Sequence, residues 1–179
     1  MLNVDESGAV IADFLARPDE ESYSAMFRLV SPRVFCYFRL RGCSRDVSED
    51  LTQEVMLTVY RQSRRLRNPD MFYSWLFRIA RNTWLQHIRQ QQRRVQAAGL
   101  GNLVDELCAA GASSVETSCL VEWLGWLKPD ERELVVLRYL EGFEYHEMAT
   151  MLNMPVGTVQ WKVFQLKRTL ADRLEGRPA

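Results

Sequence analysis

The sequence predicts an all-α protein of two small helical domains joined by a flexible linker. Three observations carry this. Apolar residues recur at spacings of three and four along most of the 179-residue chain, the mark of helices with one buried face. No run alternates as a half-buried strand would. The helical texture breaks once, over residues 97–118, where Gly, Ala and Ser dominate and periodicity fades. The boundaries read from this are residues 8–94 for the first domain, 95–114 for the linker and 115–176 for the second.

The elements follow in order. Residues 23–40 place Met26, Phe27, Val30, Val34, Tyr37 and Phe38 on one side, with Ser31-Pro32 as the expected point of a helix restart. Residues 41–44 form a turn. Asp46, with Glu49 three positions on, is the expected cap of a helix running to about Arg61. Residues 65–70, containing Asn68-Pro69, read as a loop. A third long helix spans about 72–94, with Leu76, Ile79, Ala80, Thr83, Trp84 and Ile88 inward. Past the linker, residues 116–127 suit a helix. Pro129 opens another, with Asp130 and Glu131 at its positive end, closing near Gly142. Residues 144–152 and 156–174 complete the chain.

Composition narrows the function. Hydrophobic residues make up 47% and charged residues 26%, enough for packed cores and against wholesale disorder. No stretch approaches the ~18 apolar residues of a membrane span, so no membrane insertion is expected. The first 21 residues carry six acids, the wrong sign for a secretory signal. The four cysteines form no CxxC pair and the two histidines, His87 and His146, lie far apart. No metal site, no cofactor and a reducing cytoplasm are therefore expected. His146-Glu147 begins like a zinc-protease motif, but Thr150 stands where the second histidine belongs. With no Gly-rich phosphate loop or nucleophile elbow either, no enzyme is expected.

A formal net charge of zero hides a strong asymmetry. Residues 61–94 hold nine arginines against the single acid Asp70, whereas residues 95–127 hold four acids and no Lys or Arg. Residues 155–179 are basic again. Two basic blocks separated by acid fit two contacts with a polyanion. Arginine rather than lysine in the first block favours phosphate and base contacts, because guanidinium groups fork onto phosphates and stack on rings.

Two helices carry further signals. In residues 144–174 a short helix with Tyr145, Met148, Ala149 and Leu152 inward meets a longer one with Val156, Val159, Val163, Leu166 and Leu170 inward. Asn153 is the left-handed stop between them. This is the helix-turn-helix pattern, and its second helix presents Thr158, Gln160, Trp161, Lys162, Phe164, Gln165, Lys167 and Arg168 to a major groove. In residues 46–61, Val47, Leu51, Val55 and Val59 form a core stripe. Asp50, Gln53, Glu54 and Leu57 share a neighbouring face, suited to a protein partner with basic groups around an apolar spot.

Residues 50–55 (DLTQEV) and 72–83 (FYSWLFRIARNT) resemble region two of bacterial sigma factors of the extracytoplasmic-function (ECF) group, in the sigma-70 family. Residues 127–132 (LKPDER), 147–149 (EMA) and 155–159 (PVGTV) are similar to region four of the same group. The resemblance runs from about Ser22 to Leu174, the linker excepted. It implies a sigma region 2 helical bundle over 8–94 and a sigma region 4 helix-turn-helix over 115–176. Asp50, Gln53 and Glu54 then match positions that dock on the clamp helices of the largest subunit of core RNA polymerase, with the flap of the second largest as a further contact. Trp75, Phe77 and Asn82 match the part that melts the minus-ten element of promoter DNA and captures a flipped base. Residues 63–72, including Arg67, align with the base-specificity loop. Gln160, Trp161, Phe164 and Gln165 match positions that read the minus-thirty-five element. Many relatives are held inactive by an anti-sigma factor, which makes one a candidate partner.

The chemistry of the residues agrees. Opening a duplex without ATP requires capturing unstacked bases, and base–aromatic stacking contributes roughly 1–3 kcal/mol per base. The segment 72–94 interleaves five aromatics with Arg78, Arg81 and Arg89. Leu76, Ile79, Thr83 and Trp84 are expected on its packed side, with Trp75 and Asn82 functional. Where the family usually carries a basic residue, a serine and an arginine, this chain has Gln160, Trp161 and Gln165. Phosphate attraction then rests on Lys162, Lys167 and Arg168, and the upstream element should differ from the family's usual one. The competing reading is a dimeric helix-turn-helix repressor or activator, which requires an apolar dimer-forming domain rather than an arginine-rich one.

Overall fold

The computed structural model describes residues 4–97 and 127–174, and all regular structure among them is helical. The first module contains α1 (Val4–Ala16), α2 (Glu20–Leu40), α3 (Arg45–Gln62) and α4 (Phe72–Ala97). The second contains α5 (Pro129–Val135), prolonged by a π-helical stretch Val136–Leu140, then α6 (Tyr145–Leu152) and α7 (Val156–Leu174). α4 runs three residues into the expected linker; the rest of the linker, and the helix expected at 116–127 except Leu127, which is buried as expected, lie outside the described residues.

Local chemistry accounts for the boundaries. Asp19 caps α2 by accepting the Ser22 N–H at 2.9 Å, while the Ser22 hydroxyl accepts from the Asp19 N–H. The Ser22 backbone bond, chiefly, holds the Asp19 carboxyl below its ordinary value. Glu20 and Glu21 then suit the positive end of α2, and Arg39 its negative end. The helix does not restart at Pro32 as expected. Pro32 sits exposed on a continuous α2, so the one hydrogen bond it removes falls on the wet side.

The cap of α3 is Ser44, whose hydroxyl accepts the Val47 N–H, and not Asp46. Asp46 is instead an acid in the first turn. Between α3 and α4, short 3₁₀ turns at Ser63–Arg65 and Pro69–Met71 frame the loop. The Asn68 side chain accepts the Asp70 N–H there at 3.0 Å. In the second module the Lys128 N–H donates to Glu131 and the Glu144 N–H to Glu147, both at 2.8 Å. Gly142 turns the chain at φ +76°, and Asn153 ends α6 left-handed at φ 54°, as its sequence position predicts.

The first core packs Met26, Val30, Val34 and Phe38 of α2 against Leu51, Val55, Met56 and Val59 of α3 and Phe72, Leu76 and Ala80 of α4. Each of these side chains, the small Ala80 excepted, contributes roughly 1.5–3 kcal/mol by leaving water. α1, for which no helix was expected, closes this core with Ile11 and Phe14. Its Val10, Ile11, Phe14 and Leu15 carry the helical spacing that would have revealed it. The second core joins Met148, Ala149, Met151 and Leu152 of α6 to Val159, Val163 and Leu166 of α7. Val156, expected inward, is exposed because it stands at the first position of α7, ahead of the packed turns. No described helix is long and apolar enough to cross a membrane.

Candidate nucleic-acid interface

Three surfaces hold the residues singled out by sequence. On α3, Asp50, Gln53, Glu54 and Leu57 are all exposed along one ridge, while Leu51, Val55 and Val59 are buried behind it. Leu57 is 50% exposed, an apolar group among carboxylates and an amide. The neighbouring Tyr60 is also exposed, its ring edge-on to Tyr23 at 5.0 Å. The ridge is set by helix geometry: a core stripe leaves its flank to solvent.

α4 divides its expected DNA residues between two environments. Arg78 and Asn82 are exposed, as is Arg67 in the loop. Asn82 lines a hollow of about 360 Å³ with Leu85, Gln86, Arg89, Gln90 and Arg93, a polar and basic recess beside the arginine block. Trp75 and Phe77, in contrast, are buried. Trp75 packs on Phe72 at 6.1 Å between ring centres. Phe77 lies edge-on to Tyr37 at 5.4 Å on one side and Phe143 at 5.5 Å on the other. Leu76, Thr83 and Trp84 are buried as expected, while Ile79 is half-buried.

Phe143 belongs to the second module, so Phe77 is covered by it. The two modules meet along a seam that no local pattern predicts. The Ser74 hydroxyl donates to Glu147 at 2.9 Å, and Glu147 simultaneously caps α6. Arg33 donates to Glu141 at 2.6 Å and lies over the Tyr73 ring at 4.4 Å. At the centre, Glu133 is buried. It accepts from the Tyr37 hydroxyl at 2.7 Å, pairs with Arg41 at 2.8 Å and approaches Arg81 at 3.5 Å. Burial pushes the Tyr37 phenol well above its ordinary pKa, so it remains a donor. Burial also opposes the charge on Arg41, but Tyr37 and Glu133 outweigh it and the guanidinium is held more firmly protonated. Sequence reasoning missed this cluster. Its one trace is Glu133, an acid beside Leu134, Val136 and Leu137 on the apolar side of α5.

α7 presents Thr158, Gln160, Trp161, Phe164, Lys167 and Arg168 to solvent, with Lys162 and Gln165 half-exposed. Trp161 and Phe164 are 61% and 63% exposed, the most open large apolar side chains described. They stand three positions apart, hence side by side on the helix. No acid occurs between Glu147 and Asp172, so this face is purely neutral or basic.

Comparison with known proteins agrees with this arrangement. Residues 26–94 match the family model Sigma-70 region 2, and residues 118–170 match Sigma-70, region 4. The chain is 27% identical to the ECF RNA polymerase sigma-E factor of Escherichia coli (strain K12), with 93% of each covered. It is 28% identical to that of Haemophilus influenzae over 75% of this chain and 78% of the relative. In fold it resembles the sigma factor RpoE, solved in complex with the anti-sigma factor NepR from Bartonella quintana. That likeness has a TM-score of 0.68 at 20% identity and covers 87% of this chain and 98% of that one. It also resembles CnrH, solved in complex with the cytosolic domain of CnrY, with a TM-score of 0.63 at 20% identity over 96% and 99%. Two regions of one family matched in order, with relatives spanning nearly the whole chain, identify it: the protein belongs to the extracytoplasmic-function group of the sigma-70 family, the sigma factors of transcription initiation.

Proposed function

We propose that the chain directs core RNA polymerase to a specific set of promoters and opens the minus-ten element. The observation that carries this is the pairing, in one chain, of an arginine- and aromatic-rich helix with a helix-turn-helix whose outer face bears no acid. Each alone fits many DNA-binding proteins. Together they fit a protein that holds one duplex at two places.

The roles divide by surface. The ridge Asp50, Gln53, Glu54 and Leu57 docks on the clamp helices of the largest polymerase subunit, and the second module on the flap of the second largest. Asn82 and its recess, with Arg67, Trp75, Phe77, Arg78 and Arg81, engage the melted minus-ten strand. Aromatic stacking and guanidinium contacts offset the stacking lost on opening. Thr158, Gln160, Trp161, Lys162, Phe164, Gln165 and Arg168 read the upstream element in the major groove, where a glutamine pairs with adenine through two hydrogen bonds. Residues 8–94, 95–114 and 115–176 act as the two domains and their tether. The protein works in the cytoplasm, needs no cofactor and catalyses no reaction of its own. Because the sigma factor RpoE, which this chain resembles in fold, is solved in complex with an anti-sigma factor, a sequestering partner is the proposed regulator.

The closed seam covers Phe77 and engages Arg81, so the modules must part before the minus-ten face meets DNA. Run-off transcription with core polymerase and this chain, on a promoter from its own operon, tests the proposal. Initiation that depends on the chain supports it. Absence of both polymerase binding and initiation, with no sequestering protein present, refutes it.

A further inference from the structure

We infer that Arg41, Tyr37 and Arg81 form an anion site on the first module that receives a backbone phosphate of promoter DNA, and that in the closed chain Glu133 fills this site as a carboxylate stand-in. The inference rests on the promoter-binding reading above and adds a site to it.

The site is built without the second module. Arg41 follows the last residue of α2, and its guanidinium is stacked 3.6 Å from the centre of the Trp84 ring and 5.5 Å from that of Tyr37. Trp84 and Arg81 both come from α4, and the ring contacts that seat Arg41 come from α2 and α4 rather than from the second module. A cation kept this far from water needs an anion, since an unpaired buried charge is strongly unfavourable.

Glu133 meets that need incompletely. One of its oxygens takes the Tyr37 hydroxyl and the other takes one Arg41 nitrogen. Arg41 Nε and Nη2 remain buried without a hydrogen-bond acceptor, and Arg81 Nε reaches Glu133 only at 3.5 Å, too poorly placed for a hydrogen bond. Donors unpaired in a buried site are costly, each by about 1–3 kcal/mol. The mismatch therefore weakens closure and marks the site as shaped for a larger acceptor. A phosphodiester carries two charged oxygens flanked by ester oxygens, and arginine forks favour that group. Position agrees as well. Arg81 adjoins Asn82 in sequence and lies one turn along α4 from Phe77 and Arg78. A strand whose base enters the Asn82 recess would carry its backbone along this helix.

The test uses holoenzyme assembled from core polymerase and the full chain, titrated across a salt series with a fork template bearing a single-stranded minus-ten element. Arg41→Gln and Arg81→Gln should each weaken binding and make the log–log salt slope shallower by about 0.7–0.9, the loss of one phosphate contact. Glu133→Gln should instead raise binding of the same DNA by the free chain several-fold, because it loosens the occupant. Arg41 is fully buried, so its variant is read only if its melting profile matches the parent. Arg81, whose side chain is 20% exposed, carries the test otherwise. If the cluster is only a clasp between modules, Arg81→Gln will leave the holoenzyme's salt slope unchanged and raise DNA binding by the free chain as Glu133→Gln does. That result overturns the phosphate site while leaving promoter direction intact. Failure of the unaltered holoenzyme to bind or initiate anywhere overturns both.

Discussion

Arg33 and Glu141 stand 108 positions apart in the chain, yet two Arg33 nitrogens converge on one Glu141 oxygen, at 2.6 and 3.1 Å, along the seam between the modules. Burial raises the Glu141 carboxyl above its ordinary 4.5, outweighing the pull of Arg33 in the other direction. The closed form therefore binds the Glu141 proton more tightly than an open form does. Its contribution to closure is complete below the ordinary value and fades as pH rises through the raised one. A fluorescent pair spanning the modules should report more closed chain as pH falls from neutral towards 4.5, and Glu141→Gln should flatten the response. Opening on mild acidification would contradict this sign.

The first helix is structural. Phe14 is fully buried, its ring 6.0 Å from that of Tyr23. Phe14→Ala should lower stability by about 3–5 kcal/mol, read as a shifted urea midpoint. A change under about 0.5 kcal/mol, the size of an ordinary surface substitution, would mean that α1 does not dock.

The α3 ridge makes the opposite expectation. Leu57 is half exposed and Asp50 exposed, so Leu57→Ala and Asp50→Ala should shift free-chain stability by no more than about 0.5 kcal/mol. Affinity for core polymerase should fall by about 1–2 kcal/mol, the range of an interface anchor. Pull-down with purified core, compared with the melting curve of each variant, separates the two effects.

Asn82 and Trp75 distinguish base capture from packing. Asn82 is exposed and Trp75 is not. Asn82→Ala should keep the melting temperature and polymerase binding while slowing promoter opening, followed by permanganate reactivity of unpaired thymines. Trp75→Ala should lose opening too, but with a stability cost of about 3–5 kcal/mol for the vacated core. Equal loss of polymerase binding in the Asn82 variant would remove its assigned role.

The recognition helix yields a salt prediction and a specificity prediction. Arg168→Gln should reduce the slope of upstream-element binding by about 0.9, one duplex phosphate. Trp161→Ala should leave that slope unchanged and alter which sequences holoenzyme selects from a random upstream library. Selection of the family's usual element by the unaltered protein would argue against a special role for Gln160, Trp161 and Gln165.

The helices of this protein are written locally. Leu51, Val55 and Val59 recur at helical spacing and are buried, Asn153 stops α6 where a left-handed residue is needed, and the exposed faces of α3 and α7 carry the residues that periodicity left outside. Such features depend on neighbours within a turn or two, which a sequence displays. Motifs in five short stretches, two in the first half and three in the second, were enough to point to the family. The local rules failed where two options compete within a turn, as when Ser44 rather than Asp46 took the cap, or when Pro32 left its helix unbroken.

The seam is a different matter. Tyr37 and Glu133 are separated by 96 positions, and neither residue's surroundings in the chain name the other. Whether Phe77 faces a DNA base or Phe143, and whether Arg41 carries a phosphate or a carboxylate, depends on how two finished modules pack. That choice is made by long-range burial and charge pairing, and only the tertiary structure contains it.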